Sequence, residues 1–93
     1  MIQNVVSGYY VHPKGHSTQN GTRLEQLQYN ASYAPYYKWI IVPGTQAGSY
    51  KIISVADPTK YIHLSGHLAM EGNEVEILLY NQGYPNTYEW VLE

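Results

Sequence analysis

All four histidines of this 93-residue chain fall in two copies of one pattern, H-P-K-G-H at 12–16 and H-L-S-G-H at 63–67. Imidazole can ligate a metal, relay a proton, or exchange hydrogen bonds with a polar ligand. Each copy spaces its histidines four apart, which brings two ligands onto one metal only on a helix. Pro13 opposes a helix there, and neither motif contains an aspartate or cysteine. No metal site is therefore expected. Catalysis needs a base, its orienting partner and a reacting group within mutual reach. His12/His63, His16/His67 and Glu25/Glu76 recur in both copies, but no nucleophile does. Ser17 faces Leu68, Ser65 faces Lys14, and Asp57, the only aspartate, faces Val6. The expectation is a non-enzyme without a cofactor. Two roles remain for the imidazoles: bonding a ligand's polar groups, or satisfying a nearby backbone group where strand meets turn.

The elements that position these residues are legible because the chain is a duplication. At the offset from His12 to His63, residues 9–41 fall on 60–92 without a gap. Identical pairs include Tyr10/Tyr61, Gly15/Gly66, Gly21/Gly72, Leu27/Leu78, Tyr29/Tyr80, Asn30/Asn81, Tyr33/Tyr84, Tyr37/Tyr88 and Trp39/Trp90. Internal repetition of this kind governs the fold. YYVHP and KYIHL alternate as half-buried strands do. RLEQLQYN and VEILLYN follow, then YKWIIV and YEWVLE, each bounded by Gly, Asn or Pro. YKIISVA opens the second copy, and MIQNVV is its clipped counterpart in the first. Four strands per copy and no helical periodicity predict an all-β chain. The two copies divide at 1–46 and 47–93 and share one structural domain. The paired glycines are expected in turns of positive φ, and Leu27/Leu78 and Trp39/Trp90 in the core.

Four-stranded units ending in an aromatic-x-Trp strand resemble β-trefoil repeats of the ricin-B lectin type, with Tyr37-Lys-Trp39 and Tyr88-Glu-Trp90 in place of Gln-x-Trp. The stretch HPKGHSTQNGT is similar to the H-P-x-G-G loop of the galactose-binding trefoil lectins of mussels. The resemblance implies carbohydrate binding, of galactose-type glycans, by His12, Gly15, His16, Tyr29 and Asn30 and by His63, Gly66, His67, Tyr80 and Asn81. Two departures matter. Tyr-Asn replaces a His- and Asp-based cluster, and His16/His67 replace the second loop glycine, which reshapes the pocket. With Pro13 in its loop, and with Leu68 and Met70 suggesting packing in the other, the first site is the better match. Trefoils also serve as protease inhibitors and cytoskeletal or other protein-binding modules, so a non-catalytic interaction module is the alternative.

A trefoil has three repeats, and this sequence supplies two. Either further repeats lie outside it, or copies assemble until repeats reach a multiple of three. Closed symmetry makes a homo-oligomer the expectation, with a trimer of exchanged repeats leading. Such an assembly would be multivalent. Composition excludes other partners. A net charge of −2 gives no footprint for nucleic acid, and no apolar run is long enough for membrane insertion. MIQNVVSGYY lacks a basic start and an apolar stretch, which predicts a cytoplasmic chain or one released without a signal peptide. Asn20-Gly-Thr and Asn30-Ala-Ser match the glycosylation pattern but read better as turns. Eleven tyrosines and no phenylalanine require many rings whose hydroxyls meet a partner or water.

Overall fold

Short β-branched and aromatic runs between turn residues give seven strands in the computed structural model, which describes residues 1–92. Glu93, the last residue of the expected second repeat, lies outside them. The strands are β1 (Tyr10–Pro13), β2 (Thr22–Leu27), β3 (Trp39–Pro43), β4 (Tyr50–Ser54), β5 (Lys60–Leu64), β6 (Val75–Leu79) and β7 (Glu89–Trp90). All pair antiparallel, in the order β1-β2-β6-β5-β4-β3, with β7 on β4. The duplication survives in the register: His12 opposes Glu25 across β1 and β2, as His63 opposes Glu76 across β5 and β6.

Two expected strands are corrected. MIQNVV forms a single bridge, Gln3 to Tyr10, and then turns. The Asn4 carboxamide accepts from the amides of Val6 and Ser7, which gives the backbone a local partner in place of a ladder. YEWVLE is reduced to Glu89–Trp90, and Val91 and Leu92 are exposed. The connections hold four 3-10 turns, at Lys14–His16, Ala31–Tyr37, Ser65–His67 and Pro85–Tyr88.

Tyr37 and Tyr88 are fully buried, and their hydroxyls donate to the carbonyls of Gln28 (2.7 Å) and Leu79 (2.6 Å). Tyrosine thus occupies core positions without leaving a buried hydroxyl unpaired, and each ring contributes on the order of 2–3 kcal/mol by burial. Ile52, Ile62 and Ile77 complete the interior. Trp39 and Trp90, expected in the core, are half-buried, their indole N–H groups donating to the carbonyls of Val11 and Ile62.

The repeats meet where β2 pairs β6. Gly21 N–H donates to the Ile77 carbonyl (2.9 Å), and Leu79 N–H donates to Asn20 Oδ1 (2.9 Å). Buried Lys60 reaches from the second repeat to the Thr18 carbonyl and forms an ion pair with Asp57 (3.2 Å). On the other side the repeats leave an apolar hollow of about 320 Å³, lined by Ile2, Val11, Leu24, Ile62, Val75 and Trp90 among others.

Candidate functional site

Each H-x-x-G-H segment runs from a strand into a 3-10 turn that reverses in two left-handed residues. Gly15 and Gly66 have φ of 65° and 64°, as expected of them, and His16 and His67 follow at 54° and 59°. A β-carbon in that region costs roughly 1–2 kcal/mol. The two residues occupying the place of the family loop's second glycine therefore adopt a glycine conformation while carrying a ring. No other described non-glycine residue does so.

Partners hold each strained ring. His16 stacks on Tyr33 with centroids 3.7 Å apart and planes 4° from parallel, and His67 stacks on Tyr84 at 4.1 Å and 19°. The Nδ1 atoms of His16 and His67 lie 2.8 and 2.9 Å from Nε2 of His12 and His63. Those inner rings are fully buried and pack on Tyr37 and Tyr88. Burial pushes their pKa values below the ordinary 6.5, with His16 and His67 adding to the shift and Glu25 and Glu76 opposing it. Because facing nitrogens are hydrogen-bonded to each other, their lone pairs do not converge on a metal.

The carboxylates behind the inner rings differ. Glu76 Oε2 is 2.9 Å from His63 Nδ1, and its Oε1 accepts from Arg23 Nη1 at 2.8 Å. Glu25 Oε2 stands 3.4 Å from His12 Nδ1, a longer contact that leaves this buried nitrogen without a well-formed hydrogen bond. Thr87 Oγ1 lies 2.8 Å from His63 Nε2, whereas the first repeat has Tyr36 at that position.

Beside each outer histidine the chain leaves β2 or β6 through a Tyr-Asn pair. Asn30 Oδ1 accepts from Ser32 N–H, and Asn81 Oδ1 from Gly83 N–H, which orients both carboxamides. Tyr29 packs among Tyr10 and Tyr37, and Tyr80 among Tyr61 and Tyr88. The result is two open, separate depressions. One, of about 480 Å³, is lined by His16, Gln28, Tyr29, Asn30, Ala31 and Tyr37 with Leu27. The other, of about 520 Å³, is lined by His67, Leu78, Leu79, Tyr80, Asn81 and Gln82.

A family model described as ricin-type β-trefoil lectin domain-like matches residues 1–80. The chain belongs to this family. Its fold matches the crystal structure of a designed 3-fold symmetric protein, ThreeFoil, with a TM-score of 0.78 at 21% identity. The match covers 90% of this chain and 56% of that one, so the chain spans just over half its length. A search of curated proteins returns no match. The fold is a β-trefoil type, and the lectin-type family points to carbohydrate binding in general.

Within that fold, His16, Tyr29 and Asn30 line one depression, and His67, Tyr80 and Asn81 the other. His12 and His63 are fully buried behind the depressions, in contact with the outer rings. Gly15 and Gly66 shape the turns. Residues outside the expected binding set also take part. Tyr33/Tyr84 and Glu25/Glu76 are marked in the sequence by their identity across the duplication. Arg23 carried no such signal, because its counterpart is Glu74.

Proposed function

We propose that this chain is a non-catalytic carbohydrate-binding module with one shallow site per repeat, recognising galactose-type or related glycans. The observation that carries the reading is the pair of depressions, lined at equivalent positions by a histidine, a tyrosine and an asparagine. Few fixed polar groups beside aromatic faces suit a sugar, whose hydroxyls need partners and whose ring carbons need a flat wall. His16 and His67 present ring nitrogens, Asn30 and Asn81 present Nδ2, and Tyr29 and Tyr80 supply the rings. His12 and His63 act through the outer histidines, and Gly15 and Gly66 through the turn.

Copies assemble over the apolar hollow as a homo-oligomer, which multiplies weak sites into useful avidity. That hollow also supports the second reading, a protein-binding module, since an apolar surface open to solvent suits a protein partner. A glycan array separates the two. The chain should bind galactose-terminated glycans, and an Asn30→Ala, Asn81→Ala variant should lose that signal while keeping its mass in light scattering. An unchanged glycan profile in the variant would refute the proposed sites.

A further inference from the structure

We propose that Arg23 of the first repeat wires the site of the second: by holding Glu76 on His63, it fixes His67 with a bare Nε2 acceptor facing the ligand. The first site lacks this wiring. This rests on the carbohydrate reading only for the nature of the ligand.

The argument follows the protons. A carboxylate oxygen can only accept, so the nitrogen 2.9 Å from Glu76 Oε2, His63 Nδ1, carries a hydrogen. A neutral imidazole has one N–H, so His63 Nε2 is bare. His67 Nδ1, 2.9 Å from it, must then donate, because two facing lone pairs would repel. Thr87 Oγ1, 2.8 Å from the same bare nitrogen, shares its hydrogen between that nitrogen and the Tyr84 carbonyl at 2.9 Å, and its oxygen, 3.4 Å from His67 Nδ1, favours a hydrogen there too. With its hydrogen on Nδ1, His67 turns a bare Nε2 outward. The relay runs from carboxylate to inner ring to outer ring, and it ends in an acceptor.

The relay depends on where Glu76 is held. Arg23 Nη1 binds Oε1 at 2.8 Å and Nε binds Glu74 at 2.7 Å, which leaves Oε2 to His63. Glu25 stands in the same register opposite His12, but it has no cation within ion-pair distance among the described residues. The position that would supply one in the second repeat is Glu74. Glu25 accordingly stays 3.4 Å away, and His12 Nδ1 is unbonded. The longer contact pins that ring's tautomer less firmly than Glu76 pins His63, so His16 offers both an acceptor and a donor.

The ligand class follows. A bare nitrogen accepts from a sugar hydroxyl and repels a carboxylate or sulfate, so the second site selects neutral, hydroxyl-rich glycans over acidic ones. It is also the better organised of the two, although the loop sequences point to the first.

Ring-nitrogen NMR on the isotope-labelled full chain, at mildly alkaline pH, tests this without ligand. His63 and His67 should both show the Nδ1–H form, the minor one of free histidine in water, and His12 and His16 should show a mixture. Arg23→Met should return His63 and His67 to a mixture, with Arg23→Lys keeping more of the wild-type signature. Titration with methyl galactoside should show the second site weakened about fivefold to tenfold in Arg23→Met, the worth of one hydrogen bond. An Nε2–H signal from His67 in the wild type, or an Arg23→Met spectrum without change, would overturn the relay. The Nδ1–H signature without sugar binding would leave the relay standing and refute the carbohydrate reading.

Discussion

At the scale of residues, the two outer histidines carry stacked rings on a left-handed backbone. His67→Ala keeps the left-handed backbone but loses the Tyr84 stack and the donor to His63. It should cost about 1–2 kcal/mol in urea unfolding, the usual penalty for unpairing a buried acceptor, and abolish the second site. The inner rings set the pH response. His12 and His63 have folded-state pKa values below the ordinary 6.5, chiefly from burial. The unfolded chain therefore takes up protons first as pH falls. Stability should be flat above neutrality and fall below about pH 6.5, by at most about 1.4 kcal/mol per pH unit for each histidine. The loss should level off once the folded rings protonate. Urea midpoints measured from pH 8 to 5 check the sign, and a rise in midpoint on acidification would contradict it.

At the scale of elements, the junction between repeats depends on a tight turn. Glu89 on β7 accepts from Thr45 N–H and Oγ1, Gln46 N–H and Ser49 Oγ, and these bonds pull its carboxyl down to about 2. Its contribution should persist above the ordinary carboxylate range and vanish only as pH falls through about 2. Gly44 passes so close that a β-carbon would stand 2.3 Å from Ser49 Oγ and 2.6 Å from Glu89 Oε1. Gly44→Ala should destabilise by roughly 1–3 kcal/mol through overpacking, read as a lower urea midpoint with an unchanged slope. Gly48→Ala, which meets nothing within 4 Å, would suffer only its positive φ. Most elements were legible because the duplication reports each strand twice. MIQNVV misled because its apolar residues imitate a strand while Asn4 closes a turn. The depth of His12 was not legible, since strand alternation assigns faces without saying which face is inward. Arg23 escaped for a sharper reason. The pseudo-symmetry that reveals shared residues hides the one whose role depends on the repeats being different.

At the scale of the whole molecule, two repeats build a β-trefoil-type sheet with one side open. Ile2, Val11, Leu24 and Trp90 line the hollow there, and a core of modest size would gain from covering it. If copies cover it, light scattering should give a mass above that of one chain, and Leu24→Glu should return it to one. A monomeric wild type would reject assembly through this face. The two proposed glycan sites lie in separate depressions, so binding and assembly should be separable by mutation. The most direct test of the account is backbone-amide NMR of the full chain titrated with methyl galactoside. Shift changes confined to residues around His16, Asn30, His67 and Asn81 are the expected result. Changes centred on the apolar hollow, or none at saturating sugar, would contradict it.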